Sequence, residues 1–377
     1  MEIYRKTWAE IKKNHLLHNL DLIRSQFSSD TFLCPMVKAN AYGHGDAFLA
    51  KQFQEWGVQN IGVCLIEEGL LLRKLGIHIP ILVFRGFDKK GAAAMLEHRL
   101  TPVVSHLDQL KILGELNQSI DLHLKFDTGM NRLGLSFEQT FEILQILKQN
   151  PQLHVQGLLT HLYQSEDSLL ENSQSKIQIE KLHLIIEQLK SVTDQYHVLN
   201  SGGIVCKMEM LKKNQKSGFL FEKNWGLRPG LLMYGYNPVV NSSFEFKPAL
   251  TLKSHTSVVR QVKKGEGVSY NHRWVAEKDS SIAVVPIGYA DGWHRLLSNQ
   301  SEVLWNGQRA PIVGNICMDY LMVDVTGFAV KSENEVLFLG ESSSGEFISA
   351  FEVAKKAQTI PWEILTSIGE RVPRIYL

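Results

Sequence analysis

The sequence predicts an α/β chain made of a (β/α)8 barrel followed by a C-terminal, mainly β domain. From residue 31 to about 230, short apolar or β-branched runs alternate with longer segments of helical period. No G-x-G-x-x-G opens a helix after the first strand, which favours a closed barrel over a doubly wound open sheet. After Tyr236-Asn237-Pro238 the rhythm changes and strand patterns dominate. Residues 1–243 are read as the barrel and 244–377 as the β domain, which an N-terminal strand is expected to join.

In chain order, the barrel strands are expected at Thr31–Lys38, Asn60–Ile66, Ile79–Phe84, Thr101–Val104, Asp121–Asp127, His154–His161, Tyr196–Asn200 and Trp225–Arg228. Between them lie helical stretches such as Asp46–Trp56, Glu67–Leu75, Leu107–Leu116, Phe137–Lys148 and Ser175–Val192. The last sets Ile177, Leu182, Ile185, Ile186 and Leu189 mainly along one stripe. Strand–helix alternation implies parallel strands with right-handed crossovers, and eight units in about 200 residues suit a closed barrel. Beyond it, strands are expected at Ala249–Val259, Ser281–Ile287, Glu302–Trp305, Ile312–Val313, Tyr320–Val325 and Glu335–Leu339. Asn306-Gly307 after Val303-Leu304-Trp305 is a strong two-residue hairpin signal, and Ile348–Gln358 is the one segment there that reads as a helix.

Composition excludes several classes. With 377 residues, 44% of them hydrophobic, the chain can bury a sizeable core, so disorder and a disulfide scaffold are ruled out. Forty Lys and Arg against 39 Asp and Glu leave no field that would favour nucleic acid or an anionic membrane. Cys34, Cys64, Cys206 and Cys317 form no C-x-x-C pair and match no zinc spacing, so no metal is expected. Free thiols, an amino terminus without an apolar stretch, and no apolar run near 18 residues point to a cytoplasmic protein.

In a barrel, reactive residues gather at the carboxyl ends of the strands. Lys38 follows the first strand, Lys125 and Asp127 lie in the fifth, His161 ends the sixth, Ser201 follows the seventh and Arg228 the eighth. Gly-rich turns, Ser201-Gly202-Gly203 and Pro229-Gly230-Leu231, follow the last two strands, where barrels commonly hold phosphate. A lysine at the end of an apolar strand is costly unless it is paired, neutralised or covalently used. Once neutral, it can form a Schiff base with an aldehyde. With a phosphate site opposite, pyridoxal phosphate is the cofactor these features suggest.

The stretch Pro35-Met36-Val37-Lys38-Ala39-Asn40-Ala41-Tyr42-Gly43-His44-Gly45 resembles the cofactor-binding signature of the alanine racemases. The resemblance continues through Thr7-Trp8-Ala9-Glu10, Lys125–Gly134, Thr160-His161, Asn200-Ser201, Met233-Tyr234-Gly235, Pro286–Gly292, Cys317-Met318-Asp319 and Arg371-Val372-Pro373-Arg374. These islands run in order from residue 7 to residue 374 and so cover the whole chain.

The resemblance implies that Lys38 binds the cofactor and serves as base on one face of the substrate, with Tyr270 as base on the other. A free phenol ionises near pH 10 and needs neighbours that favour its anion; the family places His161 and Arg228 nearby. Arg228 would donate to the pyridine nitrogen, and a guanidinium keeps its own proton. That leaves a weaker electron sink and limits side reactions. Arg132 and the backbone of Met318 would bind substrate, a guanidinium fork suiting a carboxylate. Tyr42, Ser201, Gly230 and Leu231 would contact the phosphate, while His161, His197 and Asn200 orient Arg228 and the ring. Lys125 matches a lysine that is often carbamylated, where it would brace Arg132.

One position departs from the pattern. The family commonly has a phenol before Arg-Val-Pro-Arg, and here that residue is Glu370, which should point away from a phosphate or pair with Arg371 or Arg374. The resemblance also implies a homodimer in which one subunit's β domain completes the other's site, and a role in supplying D-alanine for peptidoglycan. The alternatives are a broad-specificity or serine racemase of the same fold, a barrel-type decarboxylase, and a non-catalytic cofactor carrier. The decarboxylase would bear a Glu-Pro-Gly-Arg segment, absent here, and a carrier would have no use for a β domain bearing Tyr270.

Overall fold

A computed structural model describes residues 4–169, 173–215, 218–330 and 334–377. Its contacts divide into two compact units: Leu17–Ala41 with Asp46–Lys247, and Met1–Leu16 with Tyr42–Gly45 and Pro248–Leu377.

The first unit is built on parallel strands taken in chain order. We number Thr7–Ile11, which belongs to the second unit, as β1; the barrel strands are then β2 (Ile61–Val63), β3 (Ile81–Val83), β4 (Thr101–Val104), β5 (Ile120–Lys125), β6 (Leu153–Leu159), β7 (Tyr196–Leu199) and β8 (Gly226–Leu227). The run expected as the first strand forms no regular ladder. It closes the barrel nonetheless: Cys34 N donates to Leu227 O (2.9 Å) and Met36 N to Pro229 O (2.9 Å) on one side, and Val37 N donates to Gly62 O (2.8 Å) on the other. Pro35 lacks an N–H and can only accept, from Gly62 N at 2.9 Å, which is one reason this stave is thinly bonded. Phe32, Cys34, Leu82, Val103 and Leu159 fill the interior, with Phe84 packed on them. Burial in this apolar layer pushes the Cys34 thiol up to about 12, so it is a core residue and not a reactive one.

In the second unit β1 lies between Leu250–His255, antiparallel to it, and Arg374–Tyr376, parallel to it. The sheet runs on through Glu335–Glu341, Glu302–Trp305, Gln308–Val313, Leu321–Asp324, Ser280–Val285 and Val258–Val262. The expected hairpin forms at Asn306-Gly307, where Trp305 pairs with Gln308 and the two turn residues take φ 47° and 84°; both must be left-handed there, which suits Asn-Gly. The run expected as Ala249–Val259 is two strands, Leu250–His255 and Val258–Val262. The expected helix is found at Ala350–Lys356, and a second, Pro361–Ser367, follows it with proline in its first turn, a start signal the sequence reading passed over. Among the described residues no helix is long and apolar enough to cross a membrane.

Candidate active site

Lys38 leads directly from the closing stave into a turn without glycine. Ala39, Asn40, Ala41 and Tyr42 all take φ between 51° and 53°, a left-handed helical turn. For a residue other than Gly or Asn this costs about 1–2 kcal/mol each, several kcal/mol in all. Such strain persists only where the surroundings over-determine it. Ala41 N donates back to Val37 O (2.8 Å), Asn40 Oδ1 accepts from Asp46 N (3.0 Å) at the start of the next helix, and Ala39 N donates to Glu68 Oε1 (2.6 Å). Burial, with Arg132 adding to it, lowers the pKa of the Lys38 amine, while Cys64 and Glu68 pull the other way.

Around it the strand ends converge. His161, after β6, is held down to about 3, first by burial and then by the charges of Arg228, Arg132, Lys38 and Lys125; it is therefore a neutral imidazole at physiological pH and can act only through hydrogen bonds. Lys125, ending β5, is lowered to about 8 by burial and by Arg132 and Arg228, and its ammonium donates to Leu133 O at 2.5 Å. Asp127 accepts from the backbone N–H of Gly129, Asn131 and Arg132 at 2.9–3.0 Å, folding the exposed loop that presents the Arg132 guanidinium.

Arg228 is 4% exposed. Its Nη2 donates to Thr160 O (2.5 Å), and its Nη1 donates to the backbone carbonyl of His197 and to His197 Nδ1 (2.9 Å). His197 must then be protonated on Nε2, which donates to His123 Nδ1 at 2.9 Å. This fixes a chain from guanidinium to His197 to His123. His123 escaped the sequence reading because, midway along a strand, it looks like any inward-facing core residue; its pairing with His197 exists only in the closed barrel. Both imidazoles are held neutral by burial and by Arg228, His123 at about 3. Burial brings Arg228 itself down to about 10, so it stays charged at neutral pH. With both Nη groups engaged, Nε–H is without a partner among the described residues and is left for a ligand.

The segment Ser201-Gly202-Gly203 is not an isolated turn. It opens the helix Ser201–Lys212, capped by Asn200 Oδ1 accepting from Gly203 N (3.2 Å), while Asn200 Nδ2 donates to Leu162 O (2.9 Å). Ser201 Oγ accepts from Gly230 N (3.1 Å) and Leu232 N (3.2 Å), pulling the turns after β7 and β8 together. With its oxygen so occupied, the hydroxyl proton is left to donate at a helix N-terminus, an arrangement suited to an anion. An amine of lowered pKa, a buried guanidinium with its Nε–H unengaged among the described residues, and an anion cradle fit a phosphorylated aldehyde bearing a ring nitrogen, as pyridoxal 5'-phosphate does.

Tyr42, Tyr270 and Met318 belong to the second unit. Tyr42 is buried. The Tyr270 phenol stands 67% exposed, and Met318 is also exposed. The backbone around Tyr270 is nonetheless pinned, with Ser269 at φ 67° and Asn271 at φ 60°. Ser269 Oγ donates to Asn315 O (2.6 Å), and Asn315 Nδ2 donates to Tyr270 O (2.8 Å). Gly314 permits this closeness: at φ 74°, a Cβ there would lie 2.8 Å from Val268 O. Beside Tyr270 is a hollow of about 420 Å³ lined largely by Val262, Val268, Ile282, Val284 and Met322. Glu370 is exposed, its charge felt by Arg374.

Two family models cover nearly all of the chain: "Alanine racemase, N-terminal domain" over residues 11–238 and "Alanine racemase, C-terminal domain" over 249–376. The chain belongs to the alanine racemase family. Among its relatives, the alanine racemase of Thermodesulfovibrio yellowstonii is 36% identical over 98% of this chain and 97% of its own, and alanine racemase 1 of Bacillus subtilis is 35% identical over 99% and 94%. The crystal structure of the Bacillus anthracis alanine racemase with bound L-Ala-P superposes with a TM-score of 0.89 at 31% identity, covering 100% of this chain and 96% of that one. The alanine racemase of Bartonella henselae with covalently bound pyridoxal phosphate gives 0.86 at 27% identity, covering 99% of both chains.

Proposed function

We propose that this chain is a pyridoxal phosphate-dependent alanine racemase that interconverts L- and D-alanine with Lys38 and Tyr270 as its two bases. The observation that carries the reading is the Lys38 amine: lowered in pKa, set at the head of a strained turn, and grouped with Arg132, Lys125, His161 and Arg228. Lys38 would bind the cofactor's aldehyde carbon. Ser201, Gly230, Leu231 and Tyr42 would hold its phosphate, and Arg228 Nε would donate to its ring nitrogen, with His161, His197 and Asn200 orienting Arg228 and the ring. Bound there, the cofactor withdraws electrons from the substrate's Cα and makes the hydrogen on that carbon acidic.

Inversion requires a proton taken from Cα on one side and returned on the other. Lys38 and Tyr270 hold those two positions, each a general acid or base according to the direction of the reaction. Arg132 receives the substrate carboxylate in its fork, with the Met318 backbone as a further contact. Arg228 keeps its proton, so it orients the ring nitrogen without protonating it, which favours proton return over side reactions. Lys125, at about 8, has a neutral fraction at neutral pH able to take up carbon dioxide, and the resulting carbamate would brace Arg132.

The active form we propose is a cytoplasmic homodimer serving peptidoglycan synthesis. The exposure of Tyr270 and Met318 beside an apolar hollow supports a second copy of the chain as what completes the site. The test is circular dichroism of L- and D-alanine incubated with the purified protein, together with borohydride reduction and peptide mapping. Approach to the racemate from either isomer and a cofactor adduct on Lys38 are expected; an adduct elsewhere, or no inversion, overturns the reading.

A further inference from the structure

The left-handed turn that carries Lys38 is tied to the rest of the barrel by one carboxylate. Glu68 lies in the first turn of the helix Ile66–Lys74, which follows β2. Its Oε2 accepts from the backbone N–H of Cys64 (2.7 Å) and of Leu65 (2.9 Å), while its Oε1 reaches across to the N–H of Ala39 at 2.6 Å. The first two bonds are an ordinary use of an acidic residue near a helix start. The third is not, because Ala39 is 29 residues away and immediately follows Lys38. A carboxylate accepting three backbone N–H bonds is a short, charge-assisted clamp. It joins the stretch most in need of outside support, the non-glycine positive-φ turn, to the loop at the end of the neighbouring strand.

We propose that Glu68 is a positioning residue for the racemase reaction: through the N–H of Ala39 it holds the Lys38-bearing turn in its left-handed form and so fixes where the Lys38 amine points. It touches no reacting atom. Its effect falls on the step that needs Lys38 aligned with Cα, not on capture of the substrate carboxylate, which rests on Arg132. Asn40 adds a second tie by capping the next helix, but holds the turn one residue further from Lys38.

The inference rests on Lys38 being the cofactor-bearing lysine, and the borohydride adduct on the parent enzyme tests that reading separately. The experiment compares holoenzymes of the parent, Glu68→Ala, Glu68→Gln and, as a neighbouring control of equal charge change, Glu67→Ala. It measures kcat, KM for alanine, the visible circular dichroism of the bound cofactor, and thermal unfolding. Displacing a catalytic group by about 1 Å can cost roughly 100-fold, so Glu68→Ala is expected to lose about 30- to 100-fold in kcat. Its KM should stay within about threefold, and its visible dichroic band should weaken or change sign. Glu68→Gln keeps one acceptor oxygen and can serve Ala39 or the Cys64–Leu65 pair but not both, so it should fall between Glu68→Ala and the parent; Glu67→Ala should match the parent. Should Glu68→Ala not fold, Glu68→Gln is judged on the same two readings. Retention of kcat within threefold with an unaltered dichroic band overturns the proposal. So does an equal loss in Glu67→Ala, or a loss wholly accounted for by unfolded protein.

Discussion

Lys38 heads a turn of four left-handed residues, and Tyr270 is flanked by two, Ser269 and Asn271. Each turn is pinned by a polar side chain from a segment distant in the chain, Glu68 for the first and Asn315 for the second. There the likeness ends. Lys38 is itself largely buried and has Arg132 and Glu68 near enough to bias its protonation, and the guanidinium of Arg228 is fixed through two imidazoles. The Tyr270 phenol projects into solvent, and among the described residues only its backbone is tied down. The barrel thus combines aim and electrostatics within one unit; the β unit supplies aim, and under the proposed dimer a second chain supplies the rest.

This contrast can be broken most directly at Tyr270. Tyr270→Phe is expected to slow inversion by about 10²- to 10⁴-fold, the usual worth of a general acid or base. Thermal unfolding should be unchanged, since the hydroxyl has no partner among the described residues; a marked loss of stability would show that the phenol is structural. Acid offers a second test. His123, His161 and His197 have folded pKa values below their unfolded value of about 6.5. The neutral forms favour folding, so that stability is fully present above pH 6.5 and drains away as the pH falls toward 3. Urea midpoints should therefore drop steadily from pH 7 to pH 4. A flat profile would deny that these imidazoles are buried neutral.

A smaller effect is expected from His123→Leu, which strands the Nε2–H of His197. That should cost about 1–3 kcal/mol in denaturant unfolding. It should also reduce activity, because Arg228 loses its backing; a variant as stable and as active as the parent would sink the relay. The mildest is Asn315→Ala, with about a tenfold loss in kcat and little change in KM, from release of the Tyr270 turn. Equal losses from Asn315→Ala and Tyr270→Phe would mean that the turn's aim matters as much as the phenol itself.

Much of this was legible in the sequence for stated reasons. Strand–helix alternation and the Asn306-Gly307 pair encode their structures locally, and the grouping of Lys38, Lys125, His161 and Arg228 could be anticipated because a barrel delivers strand ends to one face. What escaped was non-local or contrary to propensity. Nothing in Ala39-Asn40-Ala41-Tyr42 announces four consecutive positive φ angles, since Ala and Tyr disfavour them. Ser201-Gly202-Gly203 reads as a turn because two glycines weaken a helix, yet Asn200 caps one there. Glu68 looks like a helix-start acid until the barrel closes beside it.

The stave that seals the barrel has further significance. It holds its neighbours by isolated bridges rather than a continuous ladder and contains a proline, which makes it a natural place for the cylinder to part. Lys38 is the last residue of that same seam. A covalent tether at this spot would link retention of the prosthetic group to closure of the cylinder, so losing one would loosen the other.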